Sequence, residues 1–181
     1  MRIAVCAPST PITREDATRV QALAASEFPD VELLVHEQCF AEEGHFAGSD
    51  AQRSAALVEC ANDPAIDAIW FARGGYGACR IAEDAVAAMG EAARHKAYLG
   101  YSDQGNLLGC LYREGFDHVA HGPIVADIRR EGGEAAVTRA LDWLVARTVR
   151  QAAGMPLTLV RLISPAGTPF PPPSADSTLS T

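Results

Sequence analysis

The sequence predicts an α/β fold in which a parallel sheet is covered by helices on both faces. Short strand-like segments alternate with helix-like segments along most of the chain. The strand-like segments are continuous apolar runs, as expected for strands that are buried on both faces. Several of them end directly in turns rich in glycine, proline or serine, and open parallel sheets bind ligands at that edge.

The elements follow one another in a regular order. The predicted strands are residues 3–7, 31–35, 66–72, 98–99 and 118–121. The predicted helices are residues 14–28, 49 or 50 to about 61, 78 to about 89, 105–113 and 134–147. This order predicts a three-layer, flavodoxin-like domain over residues 1–150. Residues 165–181 lose all periodicity and contain three successive prolines, so residues 151–181 are predicted to be a linker and a disordered tail.

Composition narrows the function classes. The 181 residues are 48% hydrophobic and carry a formal net charge of −8, so nucleic acid is not an expected partner. No apolar run approaches the ~20 residues of a membrane span, and the N-terminal apolar segment is too short for a signal peptide. We therefore expect a cytoplasmic protein that has no membrane partner. The five separated cysteines and the five histidines predict neither a disulfide framework nor a metal site, and no cofactor is expected.

The stretch from Leu99 to Gln104 contains the leading candidate for catalysis. A serine at an abrupt strand-to-helix turn is how α/β hydrolases present a nucleophilic hydroxyl, and the N–H groups that follow can face an anion. Ser102 holds that position, although the downstream glycine is Gly105 rather than the residue that G-x-S-x-G requires. The alternative is that Ser102 or Asp103 only caps the following helix.

A diglycine follows the third predicted strand. The N–H of Gly75, together with that of Asp103, could form an oxyanion hole for a tetrahedral intermediate. Gly74 and Gly75 could instead cradle a phosphate, as in a nucleotide-binding protein, although no Walker lysine follows. They could also form a tight turn without a ligand.

Three further side chains near these turns have two interpretations each. Arg73 and Arg80 could clamp a substrate carboxylate with paired hydrogen bonds, or they could form structural ion pairs. His121 could act as a general base, or it could hold its own loop by hydrogen bonds.

In order along the chain, these motifs resemble those of the LD-carboxypeptidases, a serine peptidase family that includes the microcin-immunity peptidases. The similar stretches are residues 7–9 (APS), 46–53 (FAGSDAQR), 67–77 (DAIWFARGGYG) with the following Arg80, 100–103 (GYSD) and 121–123 (HGP). They cover about residues 3–126. Gln104 and Gly105 depart from the family pattern, without touching the nucleophile position.

The resemblance implies removal of the terminal D-alanine from muropeptide tetrapeptides during peptidoglycan recycling. It implies Ser102 as the nucleophile and the Gly75 and Asp103 amides as the oxyanion site. We assign Arg73, Gly74 and Tyr101 to contacts with the peptide substrate. It also implies a triad of serine, glutamate and histidine, of which the last two belong to a second, C-terminal domain.

The end of the chain limits what this resemblance implies. The last histidine is His121 and the last glutamate is Glu134, and neither matches a triad position. We therefore expect a truncated chain that is inactive alone, because a serine without its base is a poor nucleophile. The alternative is a catalytically silent remnant or a peptide-binding module of the same fold. An uncovered interdomain surface also predicts self-association, with a homodimer as one form.

Overall fold

The computed structural model describes residues 1–152, with side chains through residue 148. Five parallel strands form one sheet in the order β2-β1-β3-β4-β5. They are β1 (Arg2–Cys6), β2 (Glu32–Val35), β3 (Ala68–Phe71), β4 (Ala97–Gly100) and β5 (Val119–His121). This is the flavodoxin-like strand order, so the predicted fold class is confirmed. The predicted tail lies outside the described residues, apart from the two residues that end the last helix.

Six α-helices cover the sheet. They are α1 (Arg14–Glu27), α2 (Asp50–Asn62), α3 (Ala78–Ala87), α4 (Glu91–Arg94), α5 (Gln104–Arg113) and α6 (Gly133–Ala152), joined by 3₁₀ turns at Glu37–Phe40 and Val125–Arg129. Thr13 and Ser49 begin α1 and α2 with capping boxes. The sequence did not predict α4 or the 3₁₀ turns, because segments this short show no helical periodicity. Nor did it predict the last five residues of α6.

The strands bury side chains on both faces of the sheet. On one face, Trp70 packs with apolar residues of α1 and α6. On the other, its neighbours Ile69 and Phe71 pack with α2, α3 and α5. Successive residues of a strand point to opposite faces of the sheet, so a continuous apolar run supplies buried side chains to the helix layers on both faces. This arrangement gives the three layers that the sequence predicts.

The register of the strands brings their carboxyl ends to one edge. Cys6 pairs with Phe71, and Gly100 pairs with His121, each at or next to the last residue of its strand. The turns that follow β1, β3, β4 and β5 therefore lie side by side, as predicted from the parallel topology. Within residues 1–152, no helix is both long enough and apolar enough to cross a membrane.

Candidate active site

Ser102 lies at a sharp turn between β4 and α5. Its φ is +61°, and it is the one non-glycine residue with a positive φ in the described part of the chain. The turn depends on Gly100, where a Cβ would lie 2.6 Å from Phe71 Cδ2. After it, the N–H of Gly105 donates to the carbonyl of Ser102 at 2.9 Å as α5 begins. The Ser102 side chain is exposed, which is the presentation that a nucleophile requires.

The glycine turn after β3 lies directly against Ser102. A Cβ on Gly74 would be 3.1 Å from Ser102 Oγ, so the two turns approach as closely as side chains allow. Thr10 Oγ1 donates to the carbonyl of Gly74 at 2.6 Å and holds the turn from the β1 side. Gly75 has a φ of +115°, and a Cβ there would lie 2.5 Å from Thr10 Cγ2. Only glycine fits both constraints.

The N–H groups of Gly75 and Asp103 are available to a ligand. Within residues 1–152, neither group donates a hydrogen bond to a protein acceptor. Both belong to the two turns that meet at Ser102. An oxyanion hole requires N–H groups that are free to donate to a ligand, and these two groups meet that requirement.

The carboxylate of Asp103 does not cap α5. Asp103 occupies the N-cap position of that helix, but its side chain makes no capping hydrogen bond there. Instead, its Oδ2 accepts from Ser9 Oγ at 2.5 Å and from the N–H of Ala78 at 2.8 Å. The alternative that Ser102 or Asp103 only caps the following helix is therefore wrong. Asp103 caps α3 and ties the Ser102 turn to the turns after β1 and β3.

Gln104 extends this connection into the interior. Its side chain is fully buried, and Nε2 donates to Ser9 Oγ at 2.8 Å and to the carbonyl of Arg73 at 2.9 Å. Oε1 has no hydrogen-bond partner among the described residues. The residue that departs from the family pattern thus joins the turns after β1, β3 and β4.

Arg53 is a residue that the sequence reasoning missed. It is fully buried, and its guanidinium donates to the carbonyls of Gly77 at 2.9 Å, Gly48 at 3.2 Å and Pro8. It also pairs with Asp50. One side chain therefore holds three turns of the carboxyl edge together. Its position in the stretch 46–53 is the one signal that could have found it, since burial of an arginine is not visible in sequence.

The two other arginines of the edge have different partners. Arg80 forms a two-pronged ion pair with Asp50, with Nε–Oδ1 at 3.0 Å and Nη2–Oδ2 at 2.7 Å. These hydrogen bonds raise the pKa of Arg80. The contact with Asp50 is an ion pair of the kind that the structural interpretation of Arg80 expects. Arg73 is exposed, and its Nη1 donates to the carbonyl of Pro11 at 3.2 Å. Within the described residues, no other nitrogen of its guanidinium donates a hydrogen bond to the protein.

Tyr101, which precedes Ser102, lies close to His121. Tyr101 Oη donates to Asp127 Oδ1 at 2.9 Å, and its ring meets that of His121 edge-on, with centroids 5.9 Å apart. Burial and this hydrogen bond both raise the pKa of Tyr101. Within residues 1–152, no histidine or glutamate is hydrogen-bonded to Ser102 Oγ, and His121 makes no loop-holding hydrogen bond. Neither interpretation of His121 is therefore supported by a hydrogen bond.

A cavity of about 550 Å³ lies between α3 and α5, and Ser102, Gly74 and Gly75 do not line it.

The chain matches known proteins over its N-terminal two thirds. It is 36% identical over 131 residues to a carboxypeptidase-like protein of Streptomyces coelicolor, covering 70% of this chain and 41% of that protein. It is 29% identical to the murein tetrapeptide carboxypeptidase of Pseudomonas aeruginosa, and this match covers 70% of this chain and 40% of that protein. The chain therefore spans about two fifths of the length of these relatives.

Solved structures agree on the fold. The muramoyltetrapeptide carboxypeptidase of Oxalobacter formigenes superposes with a TM-score of 0.57 at 24% identity, covering 69% of this chain and 40% of that one. An MccF-like protein of Bacillus anthracis superposes with a TM-score of 0.61 at 22% identity, and the match covers 79% of this chain and 44% of that one. Residues 3–122 match the LD-carboxypeptidase N-terminal domain. On that match, the chain belongs to the LD-carboxypeptidase family of serine peptidases.

Proposed function

We propose that this chain carries the nucleophile half of a serine LD-carboxypeptidase that removes the terminal D-alanine from muropeptide tetrapeptides. One observation carries the proposal: Ser102 is exposed at a positive-φ turn against Gly74. The family membership and the names of the two tetrapeptide carboxypeptidase relatives support this substrate class. Such a reaction serves peptidoglycan recycling in the cytoplasm.

The chemistry follows from the two turns. Ser102 Oγ attacks the carbonyl carbon that precedes D-alanine, and its proton passes to a general base. The carbonyl oxygen becomes an oxyanion, which accepts hydrogen bonds from the N–H groups of Gly75 and Asp103. The tetrahedral intermediate then collapses: the C–N bond breaks, D-alanine leaves with a proton from the base, and an acyl-serine remains. Water hydrolyses that ester and restores the Ser102 hydroxyl.

Arg73 is placed to recognise the carboxylate that defines a carboxypeptidase substrate. It is exposed, it immediately precedes Gly74, and only one of its guanidinium nitrogens is engaged with the protein. A guanidinium can hold a terminal carboxylate with two parallel hydrogen bonds. We propose that Tyr101 and Gly74 contact the same substrate, because a Cβ on Gly74 would lie 3.1 Å from Ser102 Oγ and 3.6 Å from the carbonyl oxygen of Tyr101.

The general base is proposed to come from elsewhere. Within residues 1–152, no glutamate or histidine is hydrogen-bonded to Ser102, and residues 153–181 contain neither type of residue. We therefore expect the 181 residues alone to release no D-alanine. The same observation favours a second candidate function, a peptide-binding module that is catalytically silent. A second copy of the chain remains the partner we propose for the uncovered surface.

The test measures D-alanine release from a muropeptide tetrapeptide. The chain is assayed alone and together with the C-terminal domain of the P. aeruginosa relative, and each arm includes the variant Ser102→Ala. The control is Ser26→Ala, which changes an exposed serine of α1 far from the turns. We expect release only when the second domain is present, with loss in Ser102→Ala and no loss in Ser26→Ala.

The other possible outcomes distinguish the proposed function from its alternatives. Release by the chain alone that Ser102→Ala abolishes would place the base within the 181 residues. Release that persists in Ser102→Ala would refute the role of Ser102. Tetrapeptide binding without release in either arm would favour the binding module.

A further inference from the structure

Three aromatic rings form an exposed surface next to the nucleophile. His45, Phe46 and Tyr76 lie with ring centroids 3.9 Å apart for the first pair and 6.1–6.2 Å for the pairs that include Tyr76. We call these three residues the aromatic shelf. Tyr76 is 51% exposed, and among the described residues Tyr112 is the one other large apolar side chain that is exposed. The fold itself does not need this aromatic area to face solvent.

The aromatic shelf is held in place before any ligand arrives. The Phe46 ring packs against the guanidinium groups of Arg53, at 4.8 Å, and Arg80, at 5.5 Å. Gly77, with a φ of +133°, makes this possible, because a Cβ there would lie 2.9 Å from Phe46 Cδ1. Phe46 also exchanges two backbone hydrogen bonds with Glu43. A surface already ordered loses little conformational entropy on binding.

The aromatic shelf is close along the chain to the glycine turn that contacts Ser102. Tyr76 is two residues beyond Gly74, which contacts Ser102, and two residues span at most about 7 Å of chain. Three residues of an extended peptide span about 10 Å. A group that lies three residues before the scissile bond therefore comes within reach of the aromatic shelf.

We propose that the aromatic shelf binds the sugar ring at the amino end of the muropeptide, an inference that rests on the proposed function. When the last peptide bond of the tetrapeptide lies at Ser102, the sugar lies about three residues upstream. The sugar is also the part of that substrate that contains a ring. A pyranose ring offers an apolar C–H face to an aromatic ring and leaves its hydroxyl groups in water, as a half-exposed Tyr76 would allow.

The test compares two probes, N-acetylmuramyl tetrapeptide and the free tetrapeptide, by isothermal titration with the full chain carrying Ser102→Ala. To this chain we add Tyr76→Ala, Tyr76→Phe or the matched control Tyr112→Ala. Loss of one ring contact should weaken binding of the muramyl probe about 3- to 10-fold in Tyr76→Ala. Binding of the free tetrapeptide should change less than about 2-fold on the same scale. Tyr76→Phe and Tyr112→Ala should bind both probes as the parent does.

The results that would contradict a sugar on the aromatic shelf can be told apart from one another. Equal weakening of both probes by Tyr76→Ala would place the peptide on the aromatic shelf, and unchanged binding would leave the aromatic shelf without a role. Aspartyl sulfamoyl adenosine, which one solved MccF structure binds, serves as a third probe. If Tyr76→Ala weakens binding of that third probe alone, the ring that binds the aromatic shelf is a nucleobase and not a sugar. If the parent binds both tetrapeptides equally, only this inference fails, whereas binding of neither would refute the proposed substrate class.

Discussion

Replacing Ser102 by glycine is expected to make the fold more stable while removing the proposed nucleophile. A non-glycine residue in the left-handed region costs about 1–2 kcal/mol, and Ser102 has a φ of +61°. Glycine removes this strain but adds about 0.5–1 kcal/mol of unfolded-state entropy. The Ser102 side chain is exposed and forms no hydrogen bond within the described residues, so nothing else is lost. The net gain is about 0.5–1 kcal/mol.

Urea unfolding followed by circular dichroism measures this gain. With an m-value of about 2 kcal/mol/M, the midpoint should rise by about 0.3–0.5 M in Ser102→Gly. Ser102→Ala keeps the strained backbone, so its midpoint should stay close to that of the parent. The matched control is Ser26→Gly on the exposed face of α1, where glycine should cost about 0.5 kcal/mol.

The result that would refute this reasoning is a loss of stability in Ser102→Gly as large as that in Ser26→Gly. It would mean that the turn stores no backbone strain. The geometric reason for regarding Ser102 as a presented nucleophile would then disappear, even if the residue were essential for activity.

Three further predictions concern the elements around the site. Gly75→Ala should destabilise the chain by about 1–3 kcal/mol in thermal unfolding, because φ is +115° and the new methyl meets a threonine methyl at 2.5 Å. The matched change Gly105→Ala, where a Cβ meets open space inside α5, should be neutral or stabilising. Arg53→Met should cost about 3 kcal/mol in urea unfolding, because the buried carbonyls of Pro8 and Gly48 lose their donor, whereas that of Gly77 keeps the N–H of Arg80; a cost below about 1 kcal/mol would contradict this. Burial opposes ionisation of Asp16, but hydrogen bonds from Arg129 and the helix cap outweigh it and lower its pKa to about 2. Ionised Asp16 therefore contributes about 2 kcal/mol to the free energy of unfolding above pH 4, and this contribution is lost as the pH falls toward 2. When unfolding is measured between pH 5 and 2, the free energy of unfolding should depend less on pH in Asp16→Asn.

Much of the fold was visible in the sequence. Continuous apolar runs alternating with helical periodicity predicted all five strands and five of the six helices, because burial on both faces of a sheet leaves a direct compositional trace. The sequence predicts Ser49 or Asp50 as the cap of α2, and Ser49 holds that position with local capping hydrogen bonds. The four residues of α4 were missed for the opposite reason, as they are too few to show a period.

The candidate site was only partly visible. The turn at Ser102 and the glycines at 74–75 were singled out from their places at strand ends, and the structure brings them into contact. Their roles in catalysis stay predictions. The reach of Asp103 to the start of α3 was not foreseen, because a side chain that caps a helix 25 residues earlier leaves no local signal. The aromatic shelf was missed as well, since its rings come from separate loops.

The sequence by itself determined the α/β class, the strand and helix order, and the candidate residues at the strand ends, because each depends on neighbours along the chain. Only the tertiary structure decided which of those residues meet. Arg53 holds three turns from inside the protein, and Gly74 lies against Ser102, because parallel strands in register bring distant turns to one edge. Long-range contacts of this kind depend on the packing of the whole sheet, which no local pattern records.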